Sequence, residues 1–481
     1  MRPALRPAAC LLTGLALLFI SACAAAAEAG PPASAPPRWL PESERALSAC
    51  VVGVEPENSQ YFLLPTLSDP PSALPGFDDV RRQVFWLDLE LSHGALLQAL
   101  SRSAQLYVAL PAPVGQGSRR EEEGWFQDYL VQRCGWDPAD LAPRLHFFSV
   151  PETLIWSQDE TVLLGEDASG RRVLALDPDS RSFYRGFVEG LAGAYPQRFT
   201  VRRLPPNVSD EGGDLAVVRR PDGALGLVIG RHRVLDWLQR SGAGAFVGRA
   251  VPPALLKKAE RAYARAYGLP VQVLPEAPLL QGWGSEDLFH LDMLAAFLAV
   301  SGRAVAVVPS FQAHSRDSLT NQPFGAEQTR DWKREMDQVA KELLRAGYGV
   351  ERAPLADHPV RSPANSVRFD PGDGGPVQVL LSRYPDQSPG AAPSIGALQY
   401  QVSLAQFRDA GDRWNQAPGP ASLPALQAAL KKLWLGLGRC RALGNPVADA
   451  QAQAYQALGC RVQSVDDYPW GAGGFHCQFL H

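Results

Sequence analysis

Residues 252–274 read Pro252-Pro253-Ala254-Leu255-Leu256-Lys257-Lys258-Ala259-Glu260-Arg261-Ala262-Tyr263-Ala264-Arg265-Ala266-Tyr267-Gly268-Leu269-Pro270-Val271-Gln272-Val273-Leu274. Leu255, Leu256, Ala259 and Tyr263 fall at helical spacing and give an amphipathic helix one apolar face. Gly268 stops that helix, Pro270 cannot continue it, and Val271 to Leu274 reads as a short strand.

The same helix-to-strand unit recurs. Trp332, Met336, Val339 and Leu343 form a stripe ended by Gly347, with a strand near Val350. Ala450, Ala454 and Leu458 precede Gly459 and a strand from Cys460 to Val465. Trp125, Tyr129 and Leu130 precede Gly135 and a strand from Leu145 to Val150. Weaker copies run from Leu96 to Val108 and from Phe183 to Val201. Five or six units at irregular spacing are structural repetition without a tight sequence period. Residues 56–481 therefore read as one multi-module domain. A Pro-, Ala-, Gln- and Gly-rich surface insertion interrupts it at about 385–435.

Composition sets the outer limits. The chain has 481 residues, 46% hydrophobic and 20% charged, which is ordinary globular composition and excludes wholesale disorder. A formal charge of −4 leaves no basic excess to neutralise phosphates, so a nucleic-acid partner is not expected. The 43 glycines and 42 prolines imply many turns and short elements, hence an α/β or α+β fold. None of the seven cysteines forms a C-x-x-C pair, against a zinc ribbon or a thioredoxin-like motif.

The N-terminus reads as an export signal occupying residues 1–22. Arg2 and Arg6 precede an apolar run from Ala8 to Ile20 that is too short to span a bilayer comfortably. Ile20-Ser21-Ala22-Cys23 resembles the lipobox of bacterial lipoproteins, which implies acylation of Cys23 as the first mature residue. The alternative is plain cleavage among Ala24 to Ala27. Residues 23–55 are then read as a tether, Ala/Pro/Ser-rich at its start. The implied location is the periplasmic side of a membrane or the cell surface, with the lipid anchor as the membrane partner. Export permits disulfides. Cys50, Cys134, Cys440, Cys460 and Cys477 are odd in number, so one could remain a reactive thiol.

The segments that follow the strands carry the chemistry. Trp156-Ser157-Gln158-Asp159 comes after the strand ending at Val150. Asp210-Glu211-Gly212-Gly213-Asp214 comes after the strand near Val201. Phe289-His290-Leu291-Asp292 comes after Leu274, and Gly473-Gly474-Phe475-His476-Cys477 after Val465. Loops from separate modules could thus converge on one pocket. On a strand, a His-x-Asp pair would point both side chains to one face.

In this order the motifs resemble the guanidino-modifying, or pentein, superfamily: arginine deiminase, agmatine deiminase and peptidylarginine deiminase. Glu211-Gly212-Gly213-Asp214 is similar to the Glu-Gly-Gly motif, His290-Leu291-Asp292 to His-x-Asp, and Gly473 to Cys477 to Gly-Gly-x-His-Cys. Trp156-Ser157-Gln158-Asp159-Glu160 resembles the Trp-x-Gln-Asp-Glu of peptidylarginine deiminases, where agmatine deiminases carry Arg at position 158. The resemblance covers most of residues 85–481. It implies a five-bladed pseudo-symmetric α/β propeller of ββαβ modules with the site at its axis. It also implies Cys477 as nucleophile, His290 as acid and base, Glu211 as partner of His290, and Asp159 and Asp292 as the carboxylates gripping a guanidinium. Trp156, Gly213 and Asp214 would complete the substrate position. The covalent route implied needs no metal or other cofactor.

The residue types suit that chemistry. A guanidinium is planar and permanently charged, and paired carboxylates grip it bidentately. Resonance makes its central carbon a poor electrophile, which calls for a thiolate. The expected activity is an exported deiminase that turns arginine side chains of peptides or proteins into citrulline. A small-guanidine hydrolase or amidinotransferase, and a silent binding protein, are the alternatives. A metal site from His290, Asp292 and His476 would waste Cys477. Trp125-Phe126-Gln127-Asp128 repeats the first motif's letters within an amphipathic helix and is assigned to packing.

Overall fold

The computed structural model describes residues 37–54, 64–100, 104–112, 118–151, 161, 163–179, 182–244, 251–275, 290–312, 324–355, 361–372, 374–383, 395–440 and 446–466. They form a mixed α/β structure of five small sheets. The first sheet holds β2 (Ala49–Gly53), β3 (Gln105–Pro111) and β4 (Leu145–Val150). The second holds β1 (Arg38–Trp39), β5 (Leu163–Glu166), β6 (Arg172–Leu176) and β7 (Phe199–Arg203). The third is β8 (Leu215–Arg219), β9 (Leu225–Gly230) and β10 (Val271–Leu274), and the fourth β11 (Ala296–Val300), β12 (Arg303–Phe311) and β13 (Gly349–Leu355). The fifth is β14 (Val367–Phe369), β15 (Gln378–Arg383) and β16 (Arg461–Asp466).

Sheets two to five share one plan. An antiparallel pair is followed by helix and then by a strand parallel to the second of the pair. Parallel pairing requires such a crossover. The first sheet departs from the plan, with both pairings parallel, and α1 (Phe77–Leu89) lies between β2 and β3 in the chain. The other crossovers use α2 (Ser118–Gln132), α3 (Ser182–Ala194), α4 (Arg231–Arg240) with α5 (Pro253–Tyr267), and α6 (Ala326–Arg345). α5 ends where the sequence reading placed its stop: Gly268 adopts φ 70°, a left-handed cap that costs a glycine little. In α6, Trp332, Met336, Val339 and Leu343 are fully buried. Burying a side chain such as Met336 or Leu343 contributes about 1.5–3 kcal/mol.

Strand alternation distributes the cores. On β6, Leu174 and Leu176 pack with Ala49, Val51 and Tyr107 of the first sheet. Val173 and Ala175 point the other way, into a core with Val217, Leu227 and Ile229 of the third. Val218 and Val228 join Phe297, Ala306 and Val308 of the fourth sheet. Ala296, Leu298 and Val307 join Val379 and Leu381 of the fifth. Val367, Phe369 and Leu380 of the fifth pack with Cys50, Val52 and Leu106 of the first.

Two expectations are corrected. Of the segment taken as tether, residues 37–54 belong to the fold. Trp39 lies on β1, Glu44 pairs with Arg219 of the third sheet at 2.5 Å, and Ser43 accepts from the Ala299 amide of the fourth. Glu42 pairs with Arg368 of the fifth, and β2 enters the first. A Glu- and Ser-containing stretch looks solvated in isolation, and these partners lie 175 to 326 residues away.

The second correction concerns the supposed surface insertion. α7 (Ile395–Gln416) and α8 (Leu423–Cys440) build a core of their own against α1. Trp414 stacks on Phe77 with ring centroids 4.6 Å apart, and Phe407, Leu426, Leu430 and Leu433 are buried. α9 (Pro446–Ala457) then leads into β16. No helix among the described residues is long and apolar enough to cross a membrane.

Candidate active site

Glu211 follows β7, and the three residues after it make a 3-10 turn, Gly212–Asp214, that delivers the chain into β8. The helix quoted at the outset holds this loop from behind. The Tyr267 hydroxyl donates to the Ser209 carbonyl at 3.0 Å, and the Tyr263 hydroxyl donates to the Arg233 carbonyl at 3.3 Å. The two rings stack at 6.2 Å, being one helical turn apart on the buried face of α5.

His290 precedes a second 3-10 turn, Leu291–Met293, which corrects the expectation of a His-x-Asp strand. The turn still brings both side chains to one side: Nδ1 of His290 lies 4.0 Å from Oδ1 of Asp292. The other ring nitrogen, Nε2, lies 2.6 Å from Oε1 of Glu211. The motif pair predicted from sequence is therefore in contact across 79 residues of chain.

Asp214 links the two turns. Its Oδ1 accepts from the Leu291 amide at 3.1 Å and its Oδ2 meets Nε of Arg233 at 3.0 Å. Its side chain is 1% exposed, and Gly213 is buried beside it. Asp214 thus braces the loop, with each oxygen taken by a protein group.

Two neighbours carry no recognisable motif in the sequence. Asn365, buried on the segment before β14, donates from Nδ2 to Oδ2 of Asp292 at 3.3 Å. Arg233, in the first turn of α4, approaches Oε2 of Glu211 to 2.5 Å. Glu211, His290 with Asp292, and Asn365 follow β7, β10 and β13, the last strands of three successive sheets. In the sequence Asp159 follows β4 and Cys477 follows β16. Asp159, Trp156, Cys477 and Cys23 lie outside the described residues.

Charge is arranged sharply here. Burial pushes the Glu211 carboxyl up, but the Arg233 guanidinium and then His290 outweigh it and hold it at about 2. Burial dominates at Asp214 and takes its carboxyl to about 7 against the pull of Arg233. Burial opposes protonation of Arg233, yet Glu211 and Asp214 hold it above its ordinary value. His232 is pushed down to about 3 by burial and by Arg233. An ionised carboxylate accepting from an imidazole fixes the ring's orientation and stabilises its cationic form. The group is therefore equipped to give and take protons.

Cysteine environments separate inert thiols from candidates. Burial raises Cys50 well above the usual thiol range and Cys460 to about 11, so both stay neutral, and neither forms a disulfide. Among the described residues no three His, Cys, Asp or Glu side chains are grouped to hold a metal ion.

No family model and no curated protein matches this chain. Solved structures do. A substrate-bound variant of the N-terminal domain of ArgZ, an arginine dihydrolase from the ornithine-ammonia cycle in Cyanobacteria, is 14% identical. The match covers 60% of this chain and 83% of that one at a TM-score of 0.26. An ArgZ domain covalently bound to a reaction intermediate matches to the same extent. AgrE, in complex with ornithine and NAD+, is 13% identical over 76% of this chain and 34% of its own, with a TM-score of 0.31.

Proposed function

We propose that the protein is a guanidine-modifying hydrolase that deiminates arginine side chains of peptides or proteins after export. The contact between Glu211 and His290, with Asp292 on the other side of the ring, carries this reading. It provides an acid-base imidazole beside a carboxylate suited to a guanidinium. In the proposed reaction the Cys477 thiolate attacks the central guanidinium carbon, held by Asp159 and Asp292. His290 gives a proton to the leaving nitrogen, which departs as ammonia. The resulting thiouronium is attacked by water, whose proton His290 takes up. Collapse of that second adduct yields citrulline and regenerates the thiolate. Both steps balance without a metal or an electron carrier.

The architecture proposed for this site is a closed ring of five modules. Cores shared between each sheet and the next, and between the fifth and the first, support it. A ring would bring the segments after β4 and β16, hence Asp159 and Cys477, to the same end as Glu211 and His290. The proposed export signal and acylated Cys23 favour extracytoplasmic peptides over small metabolites as substrates.

The test is ammonia and citrulline release by the purified mature protein. It would be offered an arginine-containing peptide, free arginine, agmatine and methylated arginine, with Cys477→Ala alongside. Turnover of the peptide that disappears in the variant is expected. Release from none of the four by the intact protein overturns the proposal, and preference for free arginine moves the assignment to a small-guanidine hydrolase.

A further inference from the structure

α4 begins Arg231-His232-Arg233 and has no acid in its first turn. Cations there oppose the helix dipole. Something must compensate at Arg233, and the contacts show what. Its Nη1 reaches Oε2 of Glu211 at 2.5 Å and the Ser209 hydroxyl at 2.7 Å, while its Nε reaches Oδ2 of Asp214 at 3.0 Å. One guanidinium thus ties together the loop before β8 and the start of α4. Only a planar fork can meet two carboxylates along separate N–H directions in this way, which a lysine ammonium on one stem cannot reproduce.

The consequence falls on Glu211. Its two oxygens are divided, Oε2 to Arg233 and Oε1 to His290 Nε2. A carboxylate held at both ends cannot rotate away from the imidazole. Because it is an acceptor, it holds the proton of the neutral ring on Nε2, which leaves Nδ1, on the side of Asp292, as the basic nitrogen.

We infer that Arg233 is a positioning residue: it fixes the orientation and charge of Glu211 and, through Glu211, the tautomer and proton affinity of His290. The kinetic side of this inference rests on the deiminase reading, and the titration side does not. Several charged groups bear on Glu211: Arg233, His290 and His232, with Asp214 and Asp210 close behind. Asp292 faces the far nitrogen of His290. Among these groups, Arg233 is the cation whose guanidinium contacts the carboxylates of both Glu211 and Asp214.

The experiment compares the wild type with R233Q and R233K in the full-length mature protein. The His290 ring is titrated by NMR, and kcat and KM are measured on the best guanidine substrate. In R233Q the whole Glu211 charge acts on the imidazole, so the His290 titration midpoint should move up by at least half a pH unit. Turnover should fall at least tenfold in kcat with KM changed less than threefold, and R233K should recover part of both. An unchanged His290 midpoint overturns the inference. So does a tenfold rise in KM at constant kcat, which would mean that Arg233 grips the substrate itself. If R233Q does not fold, R233K supplies a milder comparison: it keeps the charge and loses the double contact, so a smaller upward shift of the His290 midpoint and a smaller loss of kcat are expected, and no change in either overturns the inference. A wild type inactive on every guanidine would refute the deiminase reading while the titration still decides the role of Arg233.

Discussion

The carboxylate of Asp214 occupies the space that a side chain at Gly230 would need: a Cβ built there falls 1.4 Å from Oδ1. Gly230 is the last residue of β9, and it lets the strand end pass directly over the loop that carries Glu211. Gly230→Ala must expel Asp214, which breaks its bond to the Leu291 amide and leaves Arg233 with one carboxylate fewer. A loss of about 2–4 kcal/mol in stability is expected, as for other changes that break a buried network. Activity should fall at least tenfold. Chemical denaturation of G230A, D214A and the double variant checks this. The double variant should be far more stable than the sum of the singles, because D214A removes the atoms in the way. Additive losses would mean that the clash is relieved elsewhere.

Glu211 is held at about 2, below the ordinary carboxylate range. The folded state therefore releases its proton more readily than the unfolded chain. The resulting stability is complete above pH ~4.5 and lost as pH falls toward about 2. Glu211→Gln should lower the melting temperature at pH 7, by a difference that shrinks as pH falls from ~4.5 toward about 2. Turnover should drop about 10²-fold, the usual scale for acid-base groups. Parallel melting curves across that pH range would show that the ionised carboxylate contributes nothing to the fold.

Asp210, next in line, has the opposite sign. Burial raises its carboxyl to about 7, with Asp177 and Glu211 adding to the push. The Asp177 amide donates to it at 2.8 Å. A raised acid is protonated more readily in the folded state, so stability falls as pH rises from ~3.9 to about 7 and stays lower above. Asp210→Asn keeps an acceptor for the Asp177 amide and removes the charge. The variant should melt several degrees above the wild type at pH 8 and about level with it at pH 4.5. A gain independent of pH would locate the effect in packing.

The parts of this fold legible in the sequence were those whose signal is local. α5, α6 and the strands after them announced themselves because each helix has one wet face and a glycine stop. The strands of the hairpins did not. β8, β9 and β12 are buried on both faces between neighbouring cores, so their apolar runs lack the alternation that marks a half-exposed strand. Glu211, His290 and Asp292 could be found from motif order. Asn365 could not, because its link to the site is a contact to a residue 73 positions away. Arg233 left a faint trace, a basic first turn on a helix. The strap before β2 left none: its order comes from ion pairs with distant sheets, and its own letters suit a solvated tether.

That strap yields the last prediction. Glu42 and Arg368 pair with 13% and 4% of their side chains exposed. Arg368 also donates to the carbonyls of Ala364 and Ser366, which flank Asn365. A path thus runs from the strap to Arg368, through the backbone on either side of Asn365, and from Asn365 to Asp292. Breaking one side of a buried pair leaves the other charge uncompensated and costs about 3–5 kcal/mol, whereas replacing both by apolar groups can be nearly neutral. Glu42→Ala should therefore destabilise strongly and weaken substrate binding, because the segment holding Asn365 loosens. Glu42→Leu with Arg368→Met should recover much of the stability. It should not recover activity, because the carbonyls at 364 and 366 have lost their donor. Denaturant titration paired with kcat and KM separates the two effects. Full recovery of both in the double variant would show that the strap holds the fold without reaching the site.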